Sequence, residues 1–315
     1  MSDPSRPAPS GPPEAPARPV SEPGREVWSV RRVLAWTTQH FEKKEIDSPR
    51  LTAEILLAHV LKLTRVRLYI ELDRPLDPGE LRAFRELIAR RAEGEPAQYL
   101  VGAKDFYGRT FQVDPRVLIP RPETELLVEA VLQRVPKDAP ATLLDVCTGS
   151  GCIAITLAAE RPLSRVFAID LSPDALEVAL ANAQKHQVAD RVTFLQGDLL
   201  APLSPGLRFE LIVSNPPYVG SGEIPGLSRE VRREPKLALD GGADGLDLIR
   251  RLAPGALARL VPGGLLALEI GESQGAAVRR VLEDAGYRDA RVEKDWERRE
   301  RFAFGTQPEA VPPQP

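Results

Sequence analysis

The chain has 315 residues, 43% of them hydrophobic, which is enough apolar material for one large core or two smaller ones; the length favours two. Its 42 basic and 45 acidic residues leave a net charge of -3, which excludes a globally basic face of the kind that grips duplex DNA through its phosphates. No apolar run reaches the roughly 18 residues of a membrane-spanning helix, and the first residues lack the apolar core of a signal peptide. The two cysteines, Cys147 and Cys152, are too few for a disulfide framework and point to a reducing cytoplasm.

Residues 1–24 are rich in Pro, Ala, Ser and Arg and poor in large apolar side chains. They cannot bury enough surface to offset their ordering entropy, and a disordered tail is expected there and again over 307–315. Residues 25–100 read as a separate helical lobe. Val27, Val30, Val33, Leu34 and Trp36 recur at helical spacing, Ser48-Pro49 opens a second helix, and Asp77-Pro78 opens a third. Residues 101–121 read as a β-hairpin linker, from Phe106-Tyr107-Gly108 and Thr110 to Val113 through to Leu118-Ile119-Pro120.

From 122 to 306 the pattern alternates. A helix from Pro122 precedes a strand at Thr142–Leu144; further strands follow at Val166–Ile169, Val192–Leu195, Phe209–Val213 and Leu265–Ile270, with helices from Ile153 and Pro173. Strands spaced by helices predict an α/β fold, a mostly parallel sheet covered on both faces. Tyr287–Val292 and Arg301–Phe304 follow each other without a helix, which predicts an antiparallel hairpin at the sheet edge.

Asp145-Val146-Cys147-Thr148-Gly149-Ser150-Gly151 follows the first of these strands and opens a helix. Glycines there allow a tight turn and close backbone approach, and the helix start offers free N–H groups. Asp170 ends the next strand, where a carboxylate can accept both hydroxyls of a ribose. A plain strand-to-helix turn and an NAD(P) site fit the same residues. Asp198, just after the third strand, could accept from an adenine amine with Leu199 against the ring, or simply cap a turn.

The fourth strand ends in Asn215-Pro216-Pro217-Tyr218, facing the same crevice as the glycine motif if the sheet is open and parallel. An amide nitrogen is a poor nucleophile because its lone pair is delocalised into the carbonyl. A site that methylates one must localise that pair, aim it, and stabilise the positive charge that grows on nitrogen. The Asn215 side-chain oxygen and the Pro216 carbonyl are two acceptors suited to this, pre-aimed by the restricted proline backbone. Tyr218 offers an aromatic face to a planar group.

The glycine motif, Asp170 and Asn-Pro-Pro-Tyr, in that order, resemble the class I S-adenosylmethionine-dependent methyltransferases. Gln98-Tyr99-Leu100-Val101-Gly102, Phe106-Tyr107-Gly108 and Leu118-Ile119-Pro120-Arg121-Pro122-Glu123-Thr124-Glu125 resemble more narrowly the release-factor glutamine N5-methyltransferase family (HemK/PrmC), over roughly residues 27–305. The resemblance implies a seven-stranded Rossmann-like sheet and an N-terminal helical bundle that recognises substrate. It implies methyl transfer from S-adenosylmethionine, without a metal, to the glutamine of the Gly-Gly-Gln loop of peptide-chain release factors. The protein would be a cytoplasmic monomer acting on release factors, on or off the ribosome, with no membrane and no direct nucleic-acid contact.

By the same resemblance Cys147, Thr148, Gly149, Ser150, Gly151, Asp170, Asp198, Leu199 and Asn215 would bind the cofactor. Asn215, Pro216, Pro217 and Tyr218 would bind the glutamine, with Asn215, Pro216 and Tyr218 catalytic and Phe106 walling the pocket. The family usually has glycine where Cys147 stands; a cysteine fits if φ is negative. A sister family acting on a ribosomal-protein glutamine typically has Arg-Ser-Pro where this chain has Arg121-Pro122-Glu123. Rival readings are that ribosomal substrate, a nucleic-acid base amine, and a non-catalytic binding module on the same scaffold.

His40, His59 and His186 have no helical partner suited to a metal, and Cys147 and Cys152 read as small space-fillers. Glu123 and Glu125 suit a helix start. The long, charged, glycine-bearing segment 220–245 reads as a lid.

Overall fold

The computed structural model describes residues 27–309; the expected tail over 1–24 and most of that over 307–315 lie outside them. Gln307 is an exception, because its N–H donates to Gly264 and its carbonyl accepts from Gly263, continuing a strand pairing past the boundary drawn at 306.

The N-terminal lobe holds five helices among the described residues: α1 (Val30–Glu42), α2 (Pro49–Leu61), α3 (Arg65–Ile70), α4 (Pro78–Ala92) and α5 (Ala97–Val101). Three of these correspond to the periodic stripes. The additional α3 and α5 span six and five residues, too short for a stripe to repeat. Asp77 and Glu80 form a reciprocal capping box that starts α4. Phe41, Leu56, Leu57, Leu68 and Phe84 are buried in the lobe's own core.

A hairpin follows, β1 (Ala103–Phe106) paired antiparallel with β2 (Arg109–Gln112). Its two-residue turn puts Tyr107 at φ 48° and Gly108 at φ 70°. Two successive positive φ values match the twist of the flanking strands. Asn182 then fastens β2 to the C-terminal domain: its Oδ1 accepts from the Gln112 N–H at 2.7 Å, and its Nδ2 donates to the Gln112 and Ser150 carbonyls at 3.0 Å.

The C-terminal domain runs α6 (Pro122–Leu132), β3 (Thr142–Val146), α7 (Cys152–Glu160), β4 (Arg165–Asp170), α8 (Pro173–Lys185), β5 (Val192–Gln196), β6 (Phe209–Ser214), α9 (Asp247–Arg259), β7 (Leu260–Glu269), α10 (Gly275–Ala285), β8 (Arg288–Lys294) and β9 (Glu300–Thr306). The seven strands are ordered β5-β4-β3-β6-β7-β9-β8. Neighbours from β5 to β7 are parallel, and β9 lies antiparallel between β7 and β8. Period-two alternation divides the sheet between two cores. Leu143, Leu211, Val213 and Phe304 face one side with α6 and α7, while Leu144, Ile212, Leu266 and Leu268 face the other with α9 and α10. The strand order reverses between β3 and β6, so the turns that follow these two strands open onto one crevice.

Candidate active site

The crevice holds a cavity of about 320 Å³ lined by residues of both turns, including Cys147, Gly149, Asp170, Asp198, Leu199, Asn215 and Pro217. The glycine turn is built from below. Asp145, fully buried at the end of β3, accepts from Thr148 Oγ1 at 2.6 Å and from the Ala154 N–H at 3.1 Å. Burial pushes its carboxyl up to about 7 against those two bonds. Gly149 and Gly151 take positive φ of 54° and 80°. A Cβ on Gly151 would come within 2.8 Å of Ile155 and 3.1 Å of Ala179, so only glycine lets α7 and α8 approach there. A Cβ on Gly149 would meet nothing within 4 Å, which leaves that side of the turn free to cradle a ligand.

Cys147 departs from expectation. Its φ is 62°, not negative, and it sits in the left-handed region that glycine occupies without cost. The tight turn from β3 forces this conformation, and the cysteine carries a strain of roughly 1–2 kcal/mol. Burial pushes its thiol, and that of Cys152, well above the ordinary range, so neither is a thiolate.

Asp170 stands opposite the glycine turn. Its Oδ2 accepts from the Gly149 N–H at 2.8 Å and its Oδ1 from the Ser172 N–H at 2.9 Å. Burial raises its carboxyl despite both donors. Each oxygen keeps a lone pair for a diol hydroxyl. Thr148, Ser150 and Gly151 are not in the cavity wall; Thr148 and Ser150 are buried beneath it and shape the turn. Asp198 is on the rim, but its carboxylate is ion-paired with Arg251 of α9.

After β6, Asn215 is half-buried and lines the cavity with Pro217, while Pro216 is buried outside the wall. Asn215 Nδ2 donates to Thr124 Oγ1 at 3.2 Å, and Thr124 Oγ1 donates to Glu269 Oε2 at 2.6 Å. The Tyr218 hydroxyl lies 3.5 Å from Glu269 Oε1, and its carbonyl accepts from Gln274 at 2.8 Å. Tyr218 therefore faces Glu269 rather than the cavity wall. Burial pushes the Glu269 carboxyl up to about 7, with Thr124 and Arg301 pulling the other way.

Phe106 does not wall the cavity. It is 1% exposed, set edge-on to Phe111 at 5.9 Å, within the core under α6 and α7. Two aromatic residues flanking a tight turn pair across the hairpin, and this pairing buries Phe106. Glu123 and Glu125 are in the first turn of α6. The 220–245 segment contributes Pro235, Leu237 and Ala238 to the cavity wall. It is tied to the lobe through Glu230 with Arg91 and through Arg233 with the Glu93 carbonyl at 3.2 Å.

Residues 32–102 match the PrmC N-terminal domain, and residues 122–231 match the methyltransferase small domain. The release factor glutamine methyltransferase of Moorella thermoacetica is 48% identical over 274 residues, covering 87% of this chain and 96% of that protein. The chain belongs to the release factor glutamine methyltransferase family. Two further members support this: the Geobacter sulfurreducens protein is 45% identical, covering 86% of this chain and 94% of its own, and the Chlorobaculum tepidum protein 45%, covering 89% and 97%. Within the site, the residues that sequence reasoning left without a role are Thr124, Glu269 and Glu234. Thr124 was visible only as part of a motif. Glu269 carried a signal, a lone carboxylate closing the apolar run Leu265-Leu266-Ala267-Leu268.

Proposed function

We propose that this protein transfers the methyl group of S-adenosylmethionine to the side-chain amide nitrogen, N5, of the glutamine in the Gly-Gly-Gln loop of peptide-chain release factors, and so supports translation termination. Membership of the family and the site geometry support the same reading. The observation that carries it is Asn215, held by its Nδ2 at the end of β6 beside the Gly149–Asp170 cradle.

The residues present suit the cofactor. The open side of Gly149, the Asp170 carboxylate and the apolar side chain of Leu199 offer a nucleoside a turn, a diol acceptor and a packing surface. When bound, S-adenosylmethionine would supply an electrophilic methyl on sulfonium, the broken S–CH₃ bond leaving the thioether S-adenosylhomocysteine. The Asn215 oxygen and the Pro216 carbonyl accept the two amide hydrogens of the glutamine, which fixes the nitrogen and favours the positive charge it acquires. The amide proton then leaves to solvent, because an N-methylated amide cation is very acidic. Pro217 excludes water from one side, and segment 220–245 closes over the other. The protein acts as a cytoplasmic monomer on free or ribosome-bound release factor, without direct contact to nucleic acid.

The test is mass spectrometry of release factor incubated with this protein and S-adenosylmethionine. One added methyl on the loop glutamine is expected. No transfer to release factor, or transfer to RNA or DNA in its place, overturns the reading.

A further inference from the structure

The side-chain amide of Asn215 can present either its oxygen or its NH₂ to the cavity, and only the oxygen can accept from a substrate amide. The two ends of the amide are alike in shape, and their neighbours decide which faces where. Thr124 Oγ1 has one proton. It lies 2.6 Å from a carboxylate oxygen of Glu269; above about pH 7, where that carboxyl is ionised and can only accept, the proton goes there. The hydroxyl then has only lone pairs left for Asn215, 3.2 Å away, so Asn215 must turn its NH₂ to Thr124.

Thr124 is 2% exposed and Glu269 1%, so no water competes freely for either bond. Thr124 is fixed in the first turn of α6, and Glu269 at the end of β7, the parallel neighbour of the β6 strand that leads into Asn215. The Tyr218 hydroxyl faces the other Glu269 oxygen at 3.5 Å, leaving Oε2 to Thr124.

We propose that Thr124 and Glu269 are positioning residues that lock the Asn215 amide with its oxygen toward the substrate, making the site selective for an amide over a carboxylate. The role rests on the proposed methylation of glutamine; the orientation itself does not. Without the lock the two orientations approach equal energy, and the flipped one offers NH₂ to the substrate. That orientation favours a glutamate side chain and disfavours glutamine.

The first measurement uses the protein alone. The Asn215 side-chain NH₂ signals, assigned by their loss in Asn215→Ala, exchange slowly with solvent in the wild type and faster in Thr124→Val. Equal exchange in both overturns the lock. The second uses release factor and S-adenosylmethionine. Thr124→Val is expected to lose about 10- to 100-fold in kcat, the range of a misplaced catalytic contact, with cofactor affinity unchanged. Thr124→Ser recovers most of that loss. Release factor with glutamate in place of its loop glutamine inhibits Thr124→Val more strongly, relative to the KM for normal substrate, than it inhibits the wild type.

Wild-type kcat in Thr124→Val, a serine variant no better than the valine one, or an unchanged inhibition ratio each overturns the proposal. Should Thr124→Val fail to fold, Thr124→Ala supplies the same comparisons. If the wild type transfers no methyl to release factor, the proposed function fails, while the exchange measurement still decides the orientation of Asn215.

Discussion

Arg121 and Glu234, 113 residues apart in the chain, form an ion pair at 2.5 Å that joins the end of the linker to the segment after β6. Glu234 is the buried member, and its second oxygen accepts from the Ile119 N–H at 3.0 Å. One carboxylate therefore holds both the backbone and the side chain of the linker against the residues that wall the cavity. Glu234→Ala leaves a buried N–H without an acceptor, a cost on the order of 2 kcal/mol. Faster proteolysis between residues 220 and 245, with a fall in thermal midpoint, is the expected result; unchanged cleavage there would show that the pair does not restrain the segment.

Asn215→Ala removes the acceptor without altering the glycine turn or Asp170. Calorimetry should find S-adenosylmethionine affinity within about threefold of wild type, while turnover on release factor falls by about 100-fold or more, the loss typical of a contact made in the transition state. Wild-type turnover would remove Asn215 from the mechanism.

Cys147 at φ 62° makes the turn sensitive to side-chain shape. Glycine at this position relieves the strain and keeps cofactor binding. A β-branched residue is a severe outlier in that region, so Cys147→Val should weaken S-adenosylmethionine binding by about tenfold or more while Cys147→Gly does not. Equal affinity of the two variants would count against a strained turn.

Asp145 and Glu269 both titrate near 7, raised by burial from the ordinary carboxylate range. A folded-state pKa above the unfolded value favours the folded state fully below the unfolded pKa, and that contribution is lost as pH rises through the folded one. Stability to denaturant should therefore fall as pH rises from the ordinary carboxylate values of 3.8 and 4.5 to about 7, and level off above that. Asp145→Asn, which can still accept from Thr148 and Ala154, should flatten its share of that slope. For Glu269, Thr124, Arg121 and Arg301 oppose the shift while Glu123 adds to it. A slope unchanged by Asp145→Asn would place the titration elsewhere.

The alternation of helices and strands was legible because each strand is a short apolar run between turn residues, and the position of Asn215 followed from the run that ends at Val213. Contacts across the fold were not. Thr124 meets Glu269 over 145 residues and Asp198 meets Arg251 over 53, separations that no local pattern encodes. Asp198 read equally as a nucleobase acceptor or a turn cap, and its ion pair with Arg251 left no local trace. Phe106 was placed in the pocket wall by the resemblance alone; an aromatic beside a turn serves a core or a ligand equally well, and here it packs in the core against Phe111. The positive φ of Cys147 belongs to the turn as a whole and leaves no mark on the residue itself.

Strand β9 separates β7 from β8, so the last-made strand of the sheet is an interior one. While the chain is being synthesised, β8 has no neighbour to bond and the edge of β7, with Leu266 and Leu268, stays open until residues 300–306 emerge. An open apolar edge invites pairing with other chains. A nascent chain halted before Glu300 is thus left with an unpaired β8 and an open edge on β7, two sites for wrong pairing rather than one.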